Sequence, residues 1–307
     1  MKKVLVAAEK PFAAVATESI KKIAVEAGYE IVLLEKYKSA DDLIQAVADV
    51  DAMIVRSDLA TKQVIEAGKN LKIIVRAGAG YDNIDLEAAT ANNVVAMNTP
   101  GQNSNAVAEL ALGMMLYQAR TGFNGGSGTE LRGKSIGIQA FGNCGRMVAA
   151  IAQGFGMRVY AYDPFVDKAT IESAGVNVCD SLDELYATCQ YVSVHIPANK
   201  QTAKSIGYDL LSKMPVGAVL VNTARKEVID EEGLLKIMEA RKDFAYLSDV
   251  APDCTPVFEE KYKGRFFFTP KKMGAQTEEA NTNAGIAAIN QIINFLEKGD
   301  ITFKVNK

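Results

Sequence analysis

Residues 134–163 read K-S-I-G-I-Q-A-F-G-N-C-G-R-M-V-A-A-I-A-Q-G-F-G-M-R-V-Y-A-Y-D, and this stretch decides the fold. Ser135 to Gln139 is a short, mostly apolar β run. Ala140 to Gly145 is a tight turn with two glycines, and Arg146 to Gly154 carries Met147, Val148, Ile151 and Ala152 on one helical face. Val159 to Tyr162 is a second apolar strand, closed by Asp163. A strand, a glycine turn, a helix and a second strand ending in an acid about 20 residues on form the unit that binds a dinucleotide. Gly142 lets the backbone approach a pyrophosphate. The free N–H groups of Asn143 and Cys144, at the helix start, then receive it. Gly145 lets helix and strand approach closely, and Asp163 is placed to accept both ribose hydroxyls. A carboxylate there repels a 2′-phosphate, so the expected cofactor is NAD. Ala140 replaces the first glycine of G-x-G-x-x-G and fits if the turn keeps φ negative.

The stretch sits in a chain of 307 residues, long enough for two domains with separate cores. Hydrophobic residues make up 49% and charged residues 23%, the range of soluble globular proteins rather than disordered ones. Net charge is −3 with bases and acids interspersed, which argues against nucleic acid or an anionic membrane as partner. The apolar run after Met1-Lys2-Lys3 ends at Glu9, too short for a signal peptide, and no stretch approaches a membrane span. Cys144, Cys179, Cys189 and Cys254 show no C-x-x-C spacing. With one histidine in the chain, no familiar zinc set assembles, and the expectation is no metal and reduced cysteines in a cytoplasmic protein.

Outward from the opening stretch, apolar β runs recur at Val4–Ala7, Glu30–Leu34, Ala52–Val55, Ile73–Arg76 and Val94–Met97, with helical patterns between them. A second series follows at Ser135–Gln139, Arg158–Ala161, Tyr191–His195, Ala218–Asn222, Ala245–Asp249 and Phe266–Thr269. Strands alternating with helices predict an α/β fold of two doubly wound parallel sheets. Long helices at Ser104–Thr121 and Glu278–Lys298 read as crossing helices, and Ile301–Val305 as a terminal strand returning to the first domain. Gly122–Glu130 is by composition a flexible spacer. Residues 1–100 and 285–307 then form one domain and 101–284 the dinucleotide domain.

Five further blocks are V-R-S at Val55–Ser57, R-A-G-A-G-Y-D-N-I-D at Arg76–Asp85, N-T-P-G-Q-N-S-N-A-V-A-E-L at Asn98–Leu110, H-I-P at His195–Pro197 and V-N-T-A-R at Val221–Arg225. Through them nearly the whole chain resembles the D-isomer-specific 2-hydroxyacid dehydrogenases, most closely their short-form 3-phosphoglycerate dehydrogenase branch. The resemblance implies a flavodoxin-like substrate domain split between the termini, a Rossmann cofactor domain inserted in it, and an active site in the cleft. It implies pairing through the cofactor domain into a homodimer, although the segment after Arg120 is short. It also assigns roles: Arg225 to the substrate carboxylate and C2 oxygen, and the N–H groups of Gly78, Ala79 and Gly80 to the same carboxylate. Arg56 takes the phosphate with Ser57 and Arg76 nearby, and Asn103 and Ser104 form a substrate loop. His195, Pro197, Thr202, Thr223, Ala224, Asp249 and Gly274 border the cofactor, with Asp249 accepting from the carboxamide.

The chain departs from the family where the catalytic histidine is expected. The block T-P-H-I-G reads Thr269-Pro270-Lys271-Lys272-Met273-Gly274, with one residue inserted. Counting forward from Pro270 puts Lys271 in the histidine's place. Counting back from Gly274 puts Lys272 there and keeps the apolar residue after it. The family's companion glutamate is also missing, with Cys254 in its place and Asp253 adjacent. One chemical logic covers both changes. A histidine benefits from a carboxylate that raises its pKa, whereas a lysine starts at about 10.4 and must be lowered to act as a base near neutrality. Loss of the acid, with Arg225 and a second lysine near, pushes it that way. The implied activity is NAD-dependent oxidation of D-3-phosphoglycerate to 3-phosphohydroxypyruvate, the first step of serine synthesis. The alternatives are another 2-hydroxy acid such as glycerate or lactate, or a catalytically silent NAD-sensing protein.

Overall fold

Runs of four to six apolar residues bounded by polar turns pair here as central parallel strands, buried on both faces as such sheets require. The computed structural model describes residues 1–307, in two compact units. The first unit comprises Met1–Asn103 and Gln276–Lys307, and the second Ser104–Ala275.

In the first unit the order is β1 (Lys3–Ala8), α1 (Ala14–Glu26), β2 (Glu30–Glu35), α2 (Ala40–Val47), β3 (Ala52–Val55), α3 (Lys62–Ala67), β4 (Ile73–Arg76), α4 (Leu86–Ala91) and β5 (Val95–Asn98). The sheet is parallel with order β2-β1-β3-β4-β5. Helix starts follow their capping residues: Ser39 and Asp42 form a reciprocal capping box on α2, and Thr61 and Asp85 cap α3 and α4.

The second unit runs α5 (Ser104–Ala119), β6 (Ser135–Gln139), α6 (Asn143–Gly154), β7 (Arg158–Tyr162), α7 (Lys168–Ser173), β8 (Asn177–Val178), α8 (Leu182–Thr188) and β9 (Tyr191–Val194). It continues through α9 (Tyr208–Leu211), β10 (Val219–Asn222), α10 (Glu231–Ala240), β11 (Ala245–Ser248), α11 (Thr255–Lys261) and β12 (Phe266–Phe268). Its seven strands lie in the order β12-β11-β10-β9-β6-β7-β8, all parallel. Strand order reverses at β1/β3 in one sheet and at β6/β9 in the other, where α/β proteins bind ligands.

The chain then re-enters the first unit as α12 (Glu278–Lys298), which begins at a Thr277 cap and stops at Gly299, left-handed at φ 69°. Its Ala284, Ala288, Ile289 and Ile292 complete a core with Phe12, Ile20 and Ala24. Gly285 makes the approach possible, since a Cβ there would lie 2.8 Å from Ile20 Cδ1. Because α12 is one helix belonging whole to the first unit, the division falls at residues 275/276 rather than 284/285, and at 103/104 rather than 100/101.

Two expectations need correction. Ile301–Val305 is not a strand: Lys304 makes a single antiparallel bridge to Met97 and Val305 N–H donates to Ala96 O, while the Asn306 side chain takes the Ala96 N–H. A side chain thus occupies the next ladder position. Nor is Gly122–Glu130 a loose spacer. Thr129 N–H donates to Ala119 O (2.7 Å), and Gly128 lies so close to α5 that a Cβ would be 2.4 Å from the same carbonyl. Here glycine serves close approach rather than freedom.

Candidate active site

In the second unit the residues singled out above stand at the carboxyl ends of β6, β7, β9, β10, β11 and β12. After β6 the chain enters α6 through Gly142, whose side supplies no cap. The N–H groups of Asn143, Cys144 and Gly145 have no acceptor in the chain, since helical bonding begins with Arg146 N–H to Gly142 O. A Cβ on Gly142 would meet nothing within 4 Å, whereas one on Gly145 would lie 2.2 Å from Ala140 O. The turn therefore has three free donors with open space before them, which suits a pyrophosphate. Ala140 differs from the expectation: its φ is +77°, the left-handed region that a Cβ disfavours. Its N–H donates to Tyr162 O, which helps hold it there.

Asp163 is partly exposed after β7, and its two oxygens accept the N–H groups of Phe141 and Phe165, each at 2.8 Å. The carboxylate is thereby fixed beside the glycine turn, with further lone pairs for hydroxyl donors. It also borders a cavity of about 390 Å³ walled in part by Pro164, Val166 and Ile171.

After β9, His195 Nε2 lies 2.9 Å from Ser193 Oγ and Nδ1 lies 3.3 Å from Thr223 Oγ1. Desolvation without a carboxylate partner lowers its pKa to about 4, so the ring is neutral at physiological pH. Thr202 uses its hydroxyl within its own loop, donating to Pro197 O (2.5 Å) and accepting Asn199 N–H. After β10, Asn222, 1% exposed, ties the N-T-A-R turn: Oδ1 accepts Ala224 N–H and Nδ2 donates to Arg225 O, both at 2.9 Å. Arg225 donates to Ala224 O and is partly exposed.

Asp249 is fully buried after β11. Oδ1 accepts Met273 N–H (2.7 Å) and Thr269 Oγ1 (3.1 Å), and Oδ2 accepts Gly274 N–H (2.8 Å). A Cβ on Gly274 would lie 2.9 Å from Asp249 Oδ2, so this position takes glycine for proximity. Three hydrogen bonds thus pin the loop on either side of Lys272. Lys271 and Lys272 are both exposed, but they differ in surroundings. The Lys272 charge acts on the Cys144 thiol of the glycine turn, whose pKa burial raises while its bond to Ser104 Oγ (3.6 Å) and that charge oppose the rise.

Cys254, in place of the glutamate, has its thiol pushed up to about 12 by burial and by Glu231. Glu231 accepts the N–H groups of Asp253 and Cys254, each at 2.8 Å. Asp253 is largely exposed and pairs with Lys226 at 2.6 Å.

In the first unit, Arg56 follows β3. Its guanidinium donates to Lys10 O, Pro11 O and Asn281 Oδ1, which leaves two N–H groups for a ligand instead of five. Ser57 beside it is exposed. Asp58, 5% exposed, accepts from Glu9 N–H, Tyr37 hydroxyl and Arg56 N–H and so aligns the ends of two strands. Arg76 Nε donates to Arg56 O, and its guanidinium fills the side-chain place of Gly78, where a Cβ would be 1.6 Å from Nη1. The Gly78 N–H is not free as expected, because Thr99 Oγ1 takes it at 2.7 Å. Ala79 and Gly80 keep their N–H groups, with Ala79 O held by Asn98 (2.6 Å). Asn103, half-buried, ends this unit just before α5. Asp58, Thr99, Asn222, Glu231 and Asn281 were not singled out from the sequence. Only Asn222 carried a signal, as an Asx residue at a strand end.

Comparison with known proteins gives the family of the chain. Residues 110–263 match the family description D-isomer specific 2-hydroxyacid dehydrogenase, NAD binding domain. Hydroxypyruvate reductase of Thermotoga maritima is 36% identical over 281 residues, covering 86% of this chain and 90% of that protein. D-3-phosphoglycerate dehydrogenase of Methanocaldococcus jannaschii is 35% identical over 266 residues, 82% of this chain and 51% of that one. The chain thus spans about half the length of such curated D-3-phosphoglycerate dehydrogenases. A crystal structure of NAD+-bound 3-phosphoglycerate dehydrogenase from Entamoeba histolytica superposes with a TM-score of 0.87 at 49% identity, covering 100% of this chain and 99% of that one.

Proposed function

Since the chain belongs to the D-isomer-specific 2-hydroxyacid dehydrogenases, we propose that it oxidises D-3-phosphoglycerate to 3-phosphohydroxypyruvate with NAD. The observation that carries the choice of substrate is Arg56, a half-buried cation whose guanidinium partners are all uncharged oxygens. A phosphate supplies a direct ionic partner for the guanidinium, and an unphosphorylated 2-hydroxy acid does not.

NAD, when bound, supplies the hydride acceptor. The free N–H groups of Asn143, Cys144 and Gly145 hold its pyrophosphate and Asp163 its ribose, with neutral His195, Pro197, Thr202, Thr223 and Ala224 along the wall. Asp249, buried with its oxygens on Thr269, Met273 and Gly274, shapes the loop at the nicotinamide end instead of accepting from the carboxamide itself. Arg225, held by the Asn222 turn, pairs with the substrate carboxylate and polarises the C2 oxygen, aided by the N–H groups of Ala79 and Gly80. Arg56, with Ser57 and Arg76 near, takes the phosphate, and Asn103 contacts the substrate. Lys272 accepts the C2 hydroxyl proton as hydride leaves. Its loop is clamped by Asp249, and its charge reaches the cofactor turn, which supports it over Lys271. Asp253, committed to Lys226, does not replace the missing glutamate.

The protein acts as a homodimer through its second unit, where Met147 of α6 and Phe155 just after it are exposed apolar side chains. A cytoplasmic location accords with four free cysteines. No helix is long and apolar enough to cross a membrane.

A substrate panel tests the reading: kcat/KM for 3-phosphoglycerate should exceed that for glycerate by at least about tenfold. A second reading, reduction of hydroxypyruvate, is favoured by the Thermotoga relative that covers nearly all of both chains. Equal use of hydroxypyruvate and its phosphate would establish it. Turnover of neither, with NAD still bound, would point to a silent NAD sensor.

A further inference from the structure

The surroundings of Arg56 contain one residue to which no role has been assigned. Nη1 donates to Lys10 O (2.8 Å) and Pro11 O (2.7 Å), Nη2 donates to Asn281 Oδ1 (2.5 Å), and Cζ lies 4.8 Å from the centroid of the Phe12 ring. The neighbouring carboxylate of Asp58 does not pair with this guanidinium. Its oxygens are spent on Glu9 N–H, the Tyr37 hydroxyl and the Arg56 backbone N–H. The guanidinium is therefore held in place with no carboxylate bonded to it, the Asp58 charge acting on it only through space. Asn281 sits in the first turns of α12, and its amide has only one possible orientation. Nδ2 donates to Thr277 O (2.7 Å), so Oδ1 must face Arg56. A carboxylate at the same place would fix Arg56 equally well but would cancel its charge, and an aliphatic residue would leave the arm unanchored.

We infer that Asn281 is a specificity-determining positioning residue, whose neutral amide oxygen aims Arg56 at the substrate phosphate while leaving its charge available. This rests on the phosphorylated-substrate reading above. The deciding quantity is the selectivity ratio, kcat/KM for 3-phosphohydroxypyruvate over that for hydroxypyruvate, measured with NADH in the wild type, Asn281→Asp, Asn281→Ala and Arg56→Leu. Asn281→Asp should lower the ratio by roughly tenfold or more, mainly through KM for the phosphorylated substrate. Asn281→Ala should lower it by about threefold or more, and it decides the matter if thermal unfolding shows the aspartate variant to be misfolded. An unchanged ratio in the folded variants, including equal losses on both substrates, would overturn the inference. If the wild type shows no preference for the phosphate, the phosphorylated-substrate reading falls first. If the wild type prefers it and Arg56→Leu abolishes the preference while the Asn281 variants keep it, only the role of Asn281 falls.

Discussion

In the proposed reaction Lys272 is the base, and the predicted signature of that role is kinetic. Lys272→Met should lower kcat for phosphoglycerate oxidation by roughly 100-fold or more with little change in NAD affinity, the range for lost general acid–base catalysis. Lys271→Met should cost less than about tenfold. Steady-state kinetics with NAD titration separates the two, and near-full kcat in the Lys272 variant would remove it from the mechanism. Oxidation by the wild type should accelerate with rising pH as the base loses its proton. Asp163 gives a second test. The wild type should prefer NAD to NADP by kcat/KM, and Asp163→Ala should relax that preference while loosening the turn, since the carboxylate also anchors Phe141 N–H. Equal or better use of NADP by the wild type would end the assignment. His195 supplies a pH-dependent test. Its folded pKa of about 4 lies below the ordinary value of 6.5. The unfolded chain therefore binds the extra proton as pH falls through this window, and the stability held above about 6.5 is lost toward 4. The shift corresponds to at most ~3 kcal/mol, reduced because the ring is only partly buried. Urea midpoints at pH 7 and pH 5 should fall less for His195→Asn than for the wild type.

The loop between β12 and α12 shows how elements, rather than single groups, prepare the site. Asp249 receives the Thr269 hydroxyl before Lys272 and the Met273 and Gly274 N–H groups after it, and Gly274 leaves the room for this. Gly274→Ala brings a Cβ to 2.9 Å from the carboxylate and should destabilise the protein by about 1–3 kcal/mol and lower kcat, read by thermal unfolding and kinetics. Unchanged values in both would show that the clamp is dispensable. Such clamps were hard to see in sequence. Eleven of the twelve strands were readable to within about a residue because each is an apolar run between turn residues, whereas β8, only Asn177 and Val178, is too short to leave one; the long helix Glu278–Lys298 was readable from its Thr277 and Gly299 boundaries. Ile301–Val305 looked equally strand-like, yet Asn306 replaces the ladder with its side chain. The role of Ala140 was open because φ at a turn depends on the strands it joins, and Tyr162 O holds it at +77°. For the site, residue types at strand ends could be read directly. The hydrogen bonds that consume Gly78 N–H and three of the Arg56 donors join positions distant in sequence, so no local pattern announced them.

At the scale of the whole molecule, the first unit is discontinuous while the second is an unbroken segment. Synthesis runs from one end, so the two units have different histories. When Asn103 has been made, the core that Phe12 and α1, through Ile20 and Ala24, build on the first sheet still lacks Ala284, Ala288, Ile289 and Ile292. At ~5–20 residues per second, the ribosome needs on the order of ten seconds or more to reach α12. During that interval the nascent first unit exposes a hydrophobic face, while residues 104–275 emerge with all their sheet partners and are free to fold. A chain stopped at Ala275 should therefore give a protease-resistant second unit and a first unit that is digested or captured by chaperones. The phosphate arm shares that delay, because Asn281 arrives with the same helix: until α12 docks, Arg56 lacks one of its holders. On the proposed role of Arg56, completion of the fold and acquisition of substrate preference are thus one late event in the life of the chain.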